Sequence, residues 1–321
     1  MVENGEVLGL LKTLCEIESP SKKEEKIRKF VKDYLSEAGY KVVEGEYFLA
    51  VEGETELIIA THLDTVPVKR KFDYDGCFAW GTGVCDTKGS LTAILVTAKK
   101  KKFKHGLALF CDEEEDGLGS KEFAQKWDKG KYIIVMEPTE LKIANRHWGS
   151  FELYVEVKGR TAHGAHPEAG VNAIEKAFEL FNVLKNRGFK LNTLKIEGGG
   201  EEYVIPDRCE VKFEIFLEPE EGLEKVISEV DFVKNLGEIE IEHAYSGYVS
   251  REVDKILEGA LRRVGEEVRY CEMRSWTDAL NLKERFDVVV WGPGSLPDCH
   301  TEREKIKIEE ILKACRVLEV L

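Results

Sequence analysis

Glutamine occurs once in the 321 residues, at Gln125, while lysine and glutamate dominate the charged set. That bias is the one associated with proteins working at high temperature, and it predicts a melting midpoint above the mesophile range. No apolar run approaches the roughly 18 residues of a membrane-spanning helix. The opening residues Met1-Val2-Glu3-Asn4-Gly5-Glu6 are acidic rather than signal-like, so a cytoplasmic protein is expected. An excess of positive charge is also missing. The net charge of -14 would repel phosphates and excludes a general nucleic-acid or membrane-surface binder. The one basic run, Lys99 to Lys102 with Lys104, follows an apolar helical stretch, where cations complement a helix C-terminus. The eight cysteines (Cys15, Cys77, Cys85, Cys111, Cys209, Cys271, Cys299, Cys315) include no Cys-x-x-Cys pair, which argues against a zinc ribbon or a disulfide framework. Most read as buried thiols. Around Gly81-Thr-Gly83 neither the P-loop nor the dinucleotide glycine spacing is present.

What is present is enough for a large core. With 43% hydrophobic residues over 321 positions, two domains are the expectation. Two amphipathic helices open the chain: Val7, Leu8, Leu11 and Leu14 recur at helical spacing, and Ile27, Phe30, Val31, Tyr34 and Leu35 follow a Ser21-Lys-Lys-Glu24 capping-box pattern. Strands are expected near 40–43, 47–51 and 57–61, and the glycines from Gly81 let the chain turn before a helix through Leu91, Ile94, Leu95 and Ala98. After Arg146 the pattern changes. Phe151, Leu153, Val155 and Val157 alternate with polar residues, as in a half-buried strand. A strand-helix-strand-strand-helix-strand order then runs to about residue 248, the split βαβ unit. The expected fold is α/β, a catalytic domain of residues 1–146 and 249–321 with an inserted ferredoxin-like α+β domain of residues 147–248.

Polar residues collect where apolar strands stop. Leu57-Ile-Ile-Ala60 runs into Thr61-His62-Leu-Asp64, Leu107-Ala-Leu-Phe110 into Cys111-Asp112-Glu113-Glu114-Glu115-Asp116, and Tyr132-Ile-Ile-Val-Met136 into Glu137-Pro-Thr139. Val288-Val-Val-Trp291 leads to Gly292-Pro-Gly294-Ser and His300, and Asp86 lies in the glycine-rich turn. Any one of these stretches reads equally well as a solvated turn. Their convergence at strand ends, where α/β sheets place chemistry, favours a metal site. Two histidines and several carboxylates suit two zinc ions sharing a carboxylate, with cobalt or manganese as substitutes. Glu113 is the candidate general base, and Asp64 is placed to fix the tautomer of His62 through its second ring nitrogen.

With these residues the chain resembles the dinuclear zinc amidohydrolases that include acetylornithine deacetylase, succinyl-diaminopimelate desuccinylase, aminoacylase and carboxypeptidase G. The resemblance rests on six motifs in the family's order: Thr-His62-Leu-Asp64-Thr-Val-Pro, Gly81-Thr-Gly-Val-Cys-Asp86-Thr-Lys-Gly, Asp112-Glu113-Glu114 with Gly119-Ser120, Glu137-Pro-Thr, Gly159-Arg-Thr-Ala-His163 with Pro167-Glu-Ala-Gly-Val-Asn172, and Gly292-Pro-Gly-Ser with His300. It implies that Asp86 bridges two metals, that His62 and Glu137 complete one site and Glu114 and His300 the other, and that Glu113 is the base. It also implies a cis peptide at Asp86-Thr87 and a homodimer through the inserted domain, in which His163 reaches the partner's active site to stabilise the oxyanion.

Two positions depart from the family. Tyr203-Val-Ile-Pro206 stands where relatives often have asparagine, and Glu214-Ile-Phe216 where an arginine often follows. Both usual residues hold the substrate carboxylate, so a cation from elsewhere is expected, with Arg274 and Arg146 as candidates. The expected activity is hydrolysis of an N-acyl or carrier-linked amino acid. The alternatives are a dipeptidase or aminopeptidase and a non-catalytic scaffold, the last disfavoured because every ligand and the base are present. His166 reads as a surface residue, and His105, His147 and His243 show no carboxylate partner in sequence, although His147 lies near the domain boundary and could face substrate.

Overall fold

A computed structural model describes residues 3–100 and 103–321. Two lysines of the basic run, Lys101 and Lys102, lie outside the described residues. The chain opens with helices α1 (Asn4–Glu16) and α2 (Glu25–Glu37), followed by strands β1 (Val42–Glu44), β2 (Phe48–Val51) and β3 (Leu57–His62). The short strands β4 (Asp73–Tyr74) and β5 (Phe78–Trp80) precede α3 (Lys88–Lys100), β6 (Gly106–Phe110), α4 (Leu118–Lys126), β7 (Tyr132–Val135) and β8 (Ile143–His147). Next come β9 (Gly149–Lys158), α5 (Ala173–Asn186), β10 (Lys190–Gly198), β11 (Arg208–Leu217), α6 (Leu223–Glu229), β12 (Gly237–Tyr245) and the two-residue β13 (Tyr248–Val249). The chain closes with α7 (Val253–Arg263), β14 (Tyr270–Met273), α8 (Ala279–Leu282), β15 (Asp287–Val290), β16 (Lys305–Lys307) and α9 (Ile308–Leu318).

Two compact units result. The first contains the chain up to Arg146, Ser250–Met273 and Thr277–Leu321; the second contains His147–Val249 and Arg274–Trp276. In the first, a mixed sheet runs in the order β1-β2-β6-β3-β7-β15-β8. Its centre, β6-β3-β7-β15, is parallel. Parallel strands covered on both faces read as continuous apolar runs, and β3, β6 and β15 are buried at every position. Helix α3 is buried from Lys88 to Ala98, which explains why its apolar residues are not confined to one stripe. From β3 the chain moves to β6 on one side and then crosses back to β7 on the other, and such a reversal opens a crevice at the carboxyl ends of the strands.

The second unit holds an antiparallel sheet in the order β10-β11-β9-β12. With α5 between β9 and β10 and α6 between β11 and β12, this is the split βαβ order expected from the sequence. Phe151, Leu153, Val155 and Val157 of β9 pack with Leu180 and Leu184 of α5 in its core.

One local expectation fails. The Ser21-Lys-Lys-Glu24 pattern does not form a capping box, since α2 begins at Glu25 and Glu24 makes no side-chain cap bond. Glu24 instead accepts from the Asp112 amide at 2.9 Å, and the Ser21 hydroxyl donates to Asp64 at 2.7 Å. Both side chains support the strand ends rather than their own helix.

Candidate metal centre

The four parallel strands deliver their carboxyl ends to one place. β3 ends in His62 and leads to Asp64, β6 leads through Cys111 to Asp112, Glu113 and Glu114, β7 leads to Glu137, and β15 leads into the loop carrying His300. Asp86 arrives from the turn before α3, and the Asp86-Thr87 peptide is cis. Gly292 is required where β15 ends, because a Cβ there would lie 2.6 Å from the Glu137 carbonyl oxygen. Asp112 and His300 both adopt left-handed backbone, with φ of 64° and 62°. These turns aim the donors, and no propensity in the sequence announces them.

Asp86 is the centre of the cluster. Its Oδ1 lies 3.0 Å from His62 Nε2, and its Oδ2 lies 3.2 Å from His300 Nε2. His62 Nε2 is also 3.8 Å from Glu137 Oε1, a buried oxygen without a hydrogen-bond partner. His300 Nε2 is 3.0 Å from Glu114. Donors on one tetrahedral zinc, at about 2.0–2.2 Å from the ion, are separated by roughly 3.4 Å. The sets His62/Asp86/Glu137 and Asp86/Glu114/His300 therefore fit two ions sharing Asp86. The His62 Nδ1 lies 3.0 Å from the Asp64 carbonyl oxygen, so donation from Nδ1 leaves the Nε2 lone pair available to a metal.

Electrostatics follow from crowding acids in a buried space. Burial, with repulsion from Glu137, Glu114 and Asp278, holds the Glu113 carboxyl well above the ordinary carboxylate range. Glu137 is raised for the same reason, burial first. Burial opposes charge on His62, but Glu113, Glu137, Asp64 and Asp86 outweigh it and raise the imidazole well above its usual value. His300, bonded to Asp86 and Glu114, is raised to about 10. Asp86 goes the other way: burial works against its charge, but His300 and His62 keep it ionised. Such strong mutual dependence is what a cation between these groups relieves.

Asp64 does more than its expected task. Its side chain lies 3.5 Å from His62 Nδ1, while Oδ1 accepts from the Glu113 amide and Oδ2 from the Glu114 amide, each at 3.1 Å. It thus fixes the backbone that carries Glu113 and Glu114. Sequence reading also missed Glu304 and Asp278. Glu304 is 1% exposed and accepts from the amides of Cys85 and Asp86. Asp278 is fully buried, and burial pushes its carboxyl up to about 7 despite the Ser120 hydroxyl. An acid four residues after His300 was the signal the sequence offered for Glu304.

The remaining candidates belong to the second unit or are engaged elsewhere. Arg146 donates from Nε to Glu272 at 2.9 Å. Arg274 belongs to the second unit and stacks over Trp148 at 4.6 Å. His163, also in the second unit, is exposed and meets Tyr203 edge-on at 5.4 Å. His166 is exposed beside Glu168. His243 does have carboxylates near it, contrary to the sequence expectation, with Glu152 at 3.9 Å and Glu242 in the same group. Among the flanking thiols, Cys85, Cys111 and Cys299 are buried.

Residues 58–321 match the family described as Peptidase family M20/M25/M40. The chain belongs to this family. It is a metallohydrolase, and metal-dependent amide hydrolysis is its chemistry. Its relatives include an acetylornithine deacetylase of Vibrio vulnificus, 30% identical over 83% of this chain and 81% of that protein. They also include a LysW-lysine/LysW-ornithine hydrolase of Saccharolobus islandicus, 27% identical over 94% of this chain and 91% of that protein. Among solved structures, a tripeptidase from Staphylococcus aureus superposes with a TM-score of 0.85 at 19% identity, covering 100% of this chain and 98% of the other. A dinuclear metal-binding peptidase of Bacillus subtilis gives 0.77 at 14% identity, covering 99% and 97%. At such identities the likeness concerns the fold of the family. Among the described residues, no helix is long and apolar enough to cross a membrane.

Proposed function

We propose that the protein hydrolyses the amide bond of an N-acyl or carrier-linked small amino acid, using two zinc ions held by His62, Asp86 and Glu137 and by Asp86, Glu114 and His300. The observation that carries this reading is Asp86, whose two oxygens each face a different imidazole at 3.0 and 3.2 Å. Ions so held would acidify a water and polarise the amide carbonyl.

The chain supplies the rest. Glu113 Oε2 lies 3.9 Å from His62 Nε2 and is 8% exposed as a residue, so it faces the same small volume in a setting that favours its proton. It takes a proton from the attacking water and delivers it to the nitrogen as the carbon–nitrogen bond breaks, which releases the amine and a carboxylate. Asp64 holds Glu113 in place through its amide, and His62 through its ring. The relatives that are an acetylornithine deacetylase and a LysW-lysine/LysW-ornithine hydrolase support the acyl or carrier-linked substrate class.

The second unit supports a homodimer. Leu194 and Ile196 on the edge strand β10 are 46% and 47% exposed, and Phe178 on α5 is 59% exposed. An unpaired strand edge beside apolar side chains is a surface that another copy can cover. In that dimer His163 acts on the partner's site as an oxyanion donor.

The test is a hydrolysis panel of acetyl-, succinyl- and γ-glutamyl-linked amino acids, with dipeptides alongside, and metal content measured on the same sample. Release of amino acid from one of the acyl series by protein holding two metals per chain is expected. Turnover of dipeptides alone would replace the acyl substrate with a free-amine substrate. A metal-free protein without turnover after zinc or cobalt addition would leave only a scaffold.

A further inference from the structure

Glu304 lies in the same unit as the metal centre and was not among the expected site residues. It is 1% exposed, yet its carboxylate is not spent on an ion pair at hydrogen-bond distance. One oxygen accepts from the backbone amides of both Cys85 and Asp86, at 3.0 and 3.2 Å, and the Gly83 amide also points at the carboxylate. The Glu304 carbonyl accepts from the Gly81 amide at 3.3 Å, and its own amide donates to Thr301 at 3.2 Å. The residue therefore grips the Gly81–Asp86 turn at several points while being tied to the turn that follows His300. Just beyond it, β16 pairs with β5, Lys305 opposite Trp80. A buried carboxylate is costly unless amides or cations satisfy it, and successive amides turned toward one anion provide such a nest.

We propose that Glu304 is a positioning residue of the metal centre: it fixes the backbone that presents Asp86 and locks that turn to the loop presenting His300, setting the separation of these two donors. Asp86 and His300 are 214 positions apart in sequence; their loops are joined by the flanking β5–β16 pairing, by the Cys85 thiol donating to the Ser295 carbonyl at 3.6 Å, and by Glu304, whose carboxylate bonds one loop while its backbone belongs to the other. The inference rests on the dinuclear reading above. Its consequence falls mainly on the ion held by Asp86, Glu114 and His300, which draws two donors from the loops that Glu304 joins, whereas the other ion shares Asp86 but takes His62 and Glu137 from strand ends that Glu304 does not touch.

The test is zinc binding to the full-length protein by competition with a chromophoric chelator, read as two successive equivalents, for the wild type and for Glu304→Ala, Glu304→Gln and Glu304→Asp. Loss of a group that orients metal ligands typically weakens affinity about 10- to 100-fold. Glu304→Ala is expected to show that loss in one equivalent, with a smaller change in the other. Glu304→Gln keeps the accepting oxygen and should stay within about threefold of wild type. Glu304→Asp keeps the charge but is one methylene short, and should resemble the alanine variant. If the alanine variant does not fold, the ranking of glutamine above aspartate decides the matter. Wild-type affinity in Glu304→Asp, or equal loss in Glu304→Gln and Glu304→Ala, overturns the proposal, as does equal weakening of both equivalents, which a merely structural role would give. A wild type that binds no zinc overturns the dinuclear reading instead.

Discussion

Asp64 shows how little of a residue's task its neighbours in sequence reveal. A His-x-Asp pair on one strand end suggests a carboxylate orienting an imidazole, and that pairing exists at 3.5 Å. The shorter bonds run to the amides of Glu113 and Glu114, at 3.1 Å, and to Ser21, at 2.7 Å. Although burial opposes its charge, His62, Ser21 and the Glu114 amide lower the Asp64 pKa and keep it an acceptor. Asp64→Asn replaces one accepting oxygen with an amide that faces another amide. The expected result is a fall in kcat of about 10- to 100-fold, with KM changed less. A variant with unaltered kcat would show that Glu113 is held by other means. Glu113→Gln separates the base from the metal: turnover should fall by at least about 10²- to 10⁴-fold while two metals remain bound. Metal loss in this variant would make Glu113 a ligand.

At the scale of elements, support again comes from distant residues. Helix α7 receives no side-chain cap from its own N-cap residue. Asp287, at the start of β15, accepts instead from the amides of Arg251, Glu252 and Val253 at 2.8, 2.6 and 3.0 Å. Removing a buried acceptor that satisfies helix N-terminal amides costs on the order of 1–3 kcal/mol, so Asp287→Ala should lower denaturant stability by about that much. A change within error would mean that water replaces the carboxylate without cost. Helix α5 shows the local alternative, with Asn172 accepting from Ile174 and Glu175. That cap is legible in sequence, and the one on α7 is not. On α9, burial pushes the Cys315 thiol from an ordinary 9.0 up to about 12. Below pH 9 both folded and unfolded thiols are protonated, and the thiol contributes its full stability. Between about 9 and 12 only the unfolded thiol ionises, so that contribution declines as pH rises. Melting measured from pH 8.5 upward should therefore fall less steeply in Cys315→Ala than in the wild type, on the order of one pH unit into that window. Equal slopes would refute the assignment.

For the whole molecule, the prediction concerns assembly. A side chain supplied across a two-fold interface acts only in the dimer. Mixing inactive His163→Ala chains with inactive Glu113→Ala chains should then restore activity, up to about a quarter of wild type per chain if the hybrids form statistically. Hybrids demonstrated by mass but lacking activity would remove His163 from the partner's site. Exposed Leu194, Ile196 and Phe178 mark the surface to disrupt in a companion experiment. Leu194→Glu with Ile196→Lys should give monomers that retain both metals.

The sequence by itself determined the apolar strands of the first sheet, the split βαβ order of the second unit, and the residue types at four strand ends. It could do so because burial on two faces, or on one, writes a period into the chain, and because strand ends concentrate polar residues against that pattern. Only the tertiary structure decided which groups meet. It set Asp86 between His62 and His300, diverted Ser21 and Glu24 from a helix end to the strand ends, paired Arg146 with Glu272, and placed Glu304 under the Asp86 turn. These contacts span from a couple of dozen to more than two hundred positions, and they depend on left-handed turns at Asp112 and His300. Periodicity reports which face of an element is buried. It carries no information about which distant backbone amide a buried carboxylate will find, and here that choice fixes the geometry of the centre.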